Sequence, residues 1–473
     1  MAKLRTDWLG FFRSMTAHPV GFVGVVTATT TGVLFLVFAA MSLLGAFEGP
    51  YKGIFTFMVL PGLFIAGLVL IPLGRFLRAR GERFGVVVDL SRREQQRRVI
   101  LFLILTGANV AILFLATYHG IHFTDSNTFC GEVCHTVMEP EYAAYQGSPH
   151  SRVPCVSCHI GPGADFFVKY KVNGMSQVFA VLFDTYERPI PSPVHNLRPA
   201  RETCEQCHWP ERFHGDKLLV KTHFDEDEQN TARETVMVLK VGGGGAESGF
   251  PSGIHWHTDP GNRVTYIAAD EKREEIVWVE VERRDGSKSV YTKGGKPVAD
   301  SLLASGERRR MDCIDCHNRP THTFDDPALS LDGALAAGRL DTRLPYIKTT
   351  GLELLTAEYD SKEAALRSIP VALAAFYEEN HPEIAREEGP SIEAAAEYLR
   401  ALYDKNIFPD MNLSWNPHPN HVGHRNDGGC FRCHAGDHMN EEGDEIDSDC
   451  ETCHTLLAMD EEDPEILKQI LEP

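Results

Sequence analysis

The chain has 473 residues, with 46 basic and 66 acidic side chains and a formal charge of −20. An excess of this sign speaks against nucleic acid as a partner, since a polyanion calls for a basic surface. The length would hold two to four ordinary domains.

Three apolar stretches open the chain, at residues 21–47, 54–73 and 99–118, and none contains an acidic or basic side chain. At about 1.5 Å per helical residue each is long enough to cross about 30 Å of hydrocarbon. A cleavable signal peptide would explain only the first, so residues 1–122 are read as a three-helix membrane anchor. Lys3, Arg5 and Arg13 precede the first stretch, and Arg75, Arg78, Arg80, Arg83, Arg92, Arg93, Arg97 and Arg98 crowd the second connection. The positive-inside rule places both groups in the cytoplasm. The connection around Glu48 to Lys52 then lies outside, and the third helix delivers the remaining chain to the periplasmic face of a bacterial inner membrane. Pro61, Pro72 and Gly107 within the stretches are expected to be structural, as kinks are tolerated where neighbouring helices re-satisfy the backbone.

A cysteine pair followed directly by histidine then recurs six times and uses all twelve cysteines: Cys130-Gly-Glu-Val-Cys134-His135, Cys155-Val-Ser-Cys158-His159, Cys204-Glu-Gln-Cys207-His208, Cys313-Ile-Asp-Cys316-His317, Cys430-Phe-Arg-Cys433-His434 and Cys450-Glu-Thr-Cys453-His454. This is a c-type haem-attachment signature: two thiols add across the porphyrin vinyl groups, and the next residue gives iron an imidazole. Zinc sites and thiol redox motifs share the Cys-x-x-Cys spacing but leave the repeated histidine unexplained, and a disulfide framework would not place every pair so close. The first motif departs from the pattern with a three-residue spacer, and we read it as a haem site in the company of the others. Six porphyrins would supply much of the apolar interior.

Residues 123–224 carry the first three motifs, joined by loops at Gly161-Pro162-Gly163 and Pro189-Ile-Pro191-Ser-Pro193. Residues 225–310 hold β-branched runs at 235–241, 263–267, 275–281 and 289–292, with Asp285-Gly286 as a hairpin turn, and read as an inserted small antiparallel sheet. Gly242 to Gly245 lack the Lys-Ser/Thr and helix of a phosphate loop and read as a turn. Residues 311–326 carry the fourth motif. Residues 327–409 have helical spacing, with Leu352, Leu355, Tyr359, Leu366 and Ile369 on one face up to a break at Pro370, then further helices around Ala372 to Phe376 and Ala394 to Leu402. Residues 410–473 carry the last two motifs and an acidic stretch (Asp444, Glu445, Asp447, Asp449, Glu451 and Asp460 to Asp463), either a solvated surface or a docking face for a basic redox partner. The expected fold class is mainly α: a membrane-anchored multihaem cytochrome c with an irregular, haem-packed extracytoplasmic domain.

Six of the 21 histidines belong to the motifs. A low-spin haem needs a second axial ligand, and His150, His195, His322, His424 and His438 sit beside motifs. His255 and His257 flank Trp256 and would share one face of a strand, so they are expected to serve one neighbourhood rather than two distant haems. His214, His223, His381, His418 and His421 are reserves. Met138 offers the first haem a thioether.

The anchor, the run Phe129-Cys130…His135-Thr-Val-Met138-Glu-Pro140, then Tyr142, Tyr145, His150 and the second motif, resemble the NapC/NirT family of membrane-bound multihaem quinol dehydrogenases; the similarity is specific over residues 123–210. It implies quinol or menaquinol oxidised at the first haem and electrons passed to periplasmic c-type cytochromes or reductases. It also implies Met138 as an iron ligand, His150 as a ligand of another haem, and Lys171 or Lys169 lining the quinol pocket. Asp165 and Asp184 are the possible acidic partners of that lysine, and His119, His122 and Asp125 lie near the right depth to handle protons. The chain departs from the family pattern in its longer first spacer, its three membrane helices and its two additional haem motifs. That layout is closer to the ImcH-like inner-membrane cytochromes implicated in extracellular electron transfer. Two alternatives remain: a terminal reductase of a small nitrogen or oxyanion substrate at an open haem iron, and a relay subunit of a larger complex.

Overall fold

The computed structural model describes residues 18–43, 55–78, 91–133, 135–161, 163–194, 198–209, 215–242, 253–424 and 428–471. Lys3, Arg5, Arg13, Arg80, Arg83, the 48–52 connection, Cys134, His195, His214 and Gly243 to Gly245 lie outside them. The chain forms two compact units, Met1–His135 and Thr136–Pro473.

The first unit contains helices α1 (Pro19–Leu43), α2 (Leu60–Arg78) and α3 (Arg93–Thr124). Each contains a segment long and apolar enough to span a membrane, Pro19–Met41, Leu103–Thr124 and, counting the turn before α2, Phe55–Gly74. Large apolar side chains such as Phe22, Val33, Leu103 and Phe114 point outward, as lipid-facing residues do. α1 and α2 run antiparallel in close contact: a Cβ on Gly67 would come within 2.6 Å of the Ala28 backbone nitrogen, so only glycine permits this approach. Pro72 lies inside α2, and Pro61 sits where a π-helical turn (Phe55–Val59) passes into it. A π turn is one of the recognised causes of a bend. The third helix extends past residue 118, the expected end, and carries His119 and His122 on its last turns.

In the second unit, α4 (His135–Gln146) and α5 (Ala164–Leu182) flank the second motif. Two antiparallel sheets follow, where the sequence suggests one. β1 (Asp216–Phe224) and β2 (Ala232–Lys240) form the first sheet, joined by β8 (His454–Glu461); the second has the order β6-β3-β4-β5-β7, from β3 (Arg263–Ala268), β4 (Ile276–Glu282), β5 (Lys288–Lys293), β6 (Arg309–Arg310) and β7 (His438–Met439). β7 and β8 come from the C-terminal motif region, 145 residues after the end of β5 and 214 after the end of β2, so distant chain completes both sheets, which local patterning does not reveal.

The helical region comprises α6 (Pro327–Ala336), α7 (Ile347–Thr356), α8 (Lys362–Asn380) and α9 (Gly389–Asn406). The expected break at Pro370 does not occur, since Pro370 lies inside α8. Ile369, Leu373 and Tyr377 are fully buried around it, and their packing outweighs the roughly 3 kcal/mol that an interior proline costs. The break falls earlier, where the Ser361 hydroxyl caps α8 by accepting from Ala364 N at 3.1 Å.

Candidate functional site

The motifs with two-residue spacers fold as short helical turns, at Cys155–His159, Cys313–Cys316, Gly429–Arg432 and Cys450–Cys453, while the third starts at the end of the short helix Ala200–Cys204 and continues as a turn over residues 205–207. Local hydrogen bonds enforce the turn. The Asp312 side chain accepts from Cys313 N at 2.7 Å while Asp315 accepts from Asp312 N at 2.6 Å, a reciprocal cap. At the other end His208, His317 and His434 donate N–H to the first cysteine carbonyls at 2.8, 2.8 and 3.0 Å. One helical turn puts residues three apart on one side, so both thiols face the same way. The first motif's spacer lies in a π-helical turn, Phe129–Val133, the wider turn that accommodates one extra residue.

None of the eleven cysteines among the described residues forms a disulfide. Among the same residues no three Cys, His, Asp or Glu side chains converge as a metal cluster. Burial raises the Cys316 and Cys433 thiols, to about 11 and about 12, keeping them neutral.

The motif histidines do have partners. Ring centroids lie 6.0 Å apart for His159 and His322, 6.1 Å for His208 and His150, 6.4 Å for His317 and His255, 5.7 Å for His434 and His257, and 6.1 Å for His454 and His424. Two imidazoles bound to one iron from opposite sides, with metal–nitrogen bonds of about 2 Å, have centroids roughly 6 Å apart. Each pair could therefore hold one haem iron. Four of the second histidines also have Nδ1 against a backbone carbonyl: His322 on Glu141 at 2.9 Å, His150 on Pro320 at 3.1 Å, His255 on Val241 at 2.7 Å and His257 on Ile254 at 3.0 Å. Donation from Nδ1 fixes the tautomer that leaves the Nε2 lone pair to a metal. Burial lowers the pKa of His159, His257, His317 and His322, favouring the neutral imidazole a metal requires.

Two expectations need correction, those for His438 and for the His255–His257 pair. His438 has both ring nitrogens engaged, Nδ1 with Asp437 Oδ1 at 2.7 Å and Nε2 with the Ile276 carbonyl at 3.0 Å, so it pins β7 to the sheet and presents no lone pair to iron. His255 and His257 do not share a face, because they sit in a 3-10 turn, Ile254–Thr258, and meet histidines of two different motifs. The reserve His223 binds Asp332 Oδ2 at 3.0 Å, and the reserve His381 packs among Tyr346, Phe376 and Tyr377. Met138 packs against a cluster that includes Val137, Phe324 and Met411.

The five motifs neighbour one another in sequence order. The Cys204 and Cys313 thiols share a hydrogen bond. Cys158 lies near Cys204 and Cys207, Cys316 near Cys430, and Cys453 near Cys430.

Lys169 is exposed on α5, and Lys171 lies on the same helix with its side chain outside the described set. α5 also exposes Val172, Phe179 and Leu182. Asp184 pairs with Arg188 beyond the far end of this helix, about 20 Å from Lys169 at 1.5 Å per residue, too far to be its acidic partner. The side chain of Asp165, near the helix start, is not described. In the first unit, His122 stacks edge-on with Tyr118 at 4.5 Å and His119 lies 6.3 Å from the Phe57 ring.

Residues 93–190 match the N-terminal region of the NapC/NirT cytochrome c family. Over 430 residues the chain is 43% identical to the cytochrome c-type protein ImcH of Geobacter sulfurreducens, an alignment covering 89% of this chain and 84% of that protein. No solved structure matches.

Proposed function

Because the chain belongs to the NapC/NirT family of membrane-anchored c-type cytochromes, we propose that it binds six covalent haems and oxidises membrane quinol, passing electrons to periplasmic c-type cytochromes or a reductase. The observation that carries this reading is the set of histidine pairs. With five motif histidines each facing a second histidine, the sites suit six-coordinate electron-transfer haems. A terminal reductase would need an open iron position, and a second histidine beside each of these five motif histidines speaks against one there.

Bound haem supplies one-electron Fe(III)/Fe(II) chemistry, whereas quinol releases two electrons and two protons on becoming quinone. His322 and His150 would serve the second and third motifs, His424 the sixth, and Met138 the first. Lys169 and Lys171 would bind and orient the quinol hydroxyl from a helix whose exposed apolar side chains suit the lipid-borne ring and tail of a quinol. The positive-inside pattern of the basic residues supports an N-terminus in the cytoplasm and a haem domain in the periplasm of an inner membrane.

Replacing Lys169 and Lys171 by Met keeps bulk but removes charge and donors. The double variant should be reduced by quinol about tenfold more slowly or worse, with reduction by dithionite unchanged. Unchanged quinol rates would remove these lysines from the site and make His119 and His122 the next residues to replace.

A further inference from the structure

Between β2 and β3 the segment Gly253-Ile-His255-Trp-His257-Thr258 folds as a 3-10 turn that is anchored from several directions. His255 N donates to the Gly242 carbonyl at 3.0 Å, and both imidazoles donate through Nδ1 to backbone carbonyls, as described above. Trp256, between them, packs against the cluster of Val264, Tyr266, Ile276 and their neighbours in the five-stranded sheet. Gly253 has φ +115°, and a Cβ there would meet Lys240 O at 2.7 Å and Gly242 O at 2.8 Å, so the turn can press against this backbone only with glycine at its start.

In a strand, residues two apart point the same way. With three residues per turn they diverge by about 120°, so this segment aims its two histidines at different targets, His317 at 6.4 Å and His434 at 5.7 Å between centroids. The two motifs that receive them are also tied to each other. Arg432, in the spacer of the fifth motif, donates to the Asp315 carbonyl in the spacer of the fourth at 2.5 Å, and to the Arg273 carbonyl at 2.8 Å. Asp315 is itself buried under Tyr266 and Arg309, each at 2.6 Å.

We propose that the turn Ile254–Thr258 is a shared distal-ligand site, in which His255 takes the sixth iron position at the Cys313–His317 haem and His257 takes that at the Cys430–His434 haem. The inference rests on the haem reading of the motifs and adds that one rigid five-residue turn holds two irons on the distal side, while Arg432 joins their attachment turns on the proximal side.

The test uses the full-length matured protein, with haem content from pyridine haemochrome and spin state from EPR and resonance Raman. His255→Ala and His257→Ala should each convert one haem per chain from low to high spin, and the double variant two, with added imidazole restoring the low-spin state. His257→Met, which refills the position with a thioether, should keep that haem low-spin and raise the midpoint potential of one haem only. The proposal is overturned if either alanine variant remains fully low-spin at full haem content, or if the double variant converts only one haem. A wild-type protein that lacks haem at these motifs would instead count against the underlying haem reading.

Discussion

Glu141 contacts His322 twice: its carbonyl oxygen lies 2.9 Å from Nδ1 and its carboxylate Oε2 3.1 Å from the same nitrogen. Burial raises the carboxyl pKa, while Arg319 and His159 pull it down. A carboxylate behind an axial imidazole makes the ligand more basic and favours ferric iron. Glu141→Gln keeps the shape and removes the charge, and should raise the potential of the haem at His159 by tens of millivolts, on the order expected of a second-shell charge. Spectroelectrochemical titration reads this directly, and an unmoved potential would leave the backbone carbonyl as the sole orienting group. His418 gives a prediction in pH. Burial, with Arg319 and Lys272 nearby, lowers its pKa to about 4, against about 6.5 in the unfolded chain. Below pH 6.5 the unfolded state therefore takes up a proton that the folded state refuses. Stability present above pH 6.5 should be lost as pH falls toward 4, by roughly 2–3 kcal/mol. Thermal unfolding between pH 7 and 4.5 should show a shallower loss in His418→Leu than in the parent.

Among the elements, the strand β1 is fastened to the helical region by a buried charge cluster. Lys348 and Asp332, 1% and 4% exposed, pair at 2.7 Å. Lys348 also donates to the Phe224 carbonyl, and Asp332 accepts from Phe224 N at 3.0 Å. Removing one partner leaves an uncompensated buried charge, so Asp332→Ala should cost about 3–5 kcal/mol in denaturant unfolding. Asp332→Leu with Lys348→Met should recover part of it, since the apolar pair removes both desolvation penalties but takes these partners from the Phe224 N–H and carbonyl. The strands at 263–267, 275–281 and 289–292 are legible because alternation and the Asp285-Gly286 turn are local signals. β8 is not, because the chain there reads as an acidic tail and becomes a strand only against β2. Pro370 is the opposite failure: a strong local breaker signal overridden by the buried contacts of Ile369 and Leu373.

At the scale of the whole molecule, the attachment motifs and the membrane helices are legible because each is written in consecutive residues. The histidine pairing is not. His322 meets a histidine 163 positions earlier and His257 one 177 positions later, and such closures depend on the folded chain. His255 and His257 mislead further, as a strand and a 3-10 turn look alike over three residues yet aim those side chains differently. Electron entry from quinol is the proposal on which the proposed relay depends. The measurement that tests it most directly is anaerobic mixing of the full-length protein, in lipid nanodiscs and with its haem content counted by pyridine haemochrome, with a reduced quinol analogue, followed through haem absorbance. The account predicts six haems per chain and their reduction by quinol; a protein reduced by dithionite but left oxidised by quinol would contradict it.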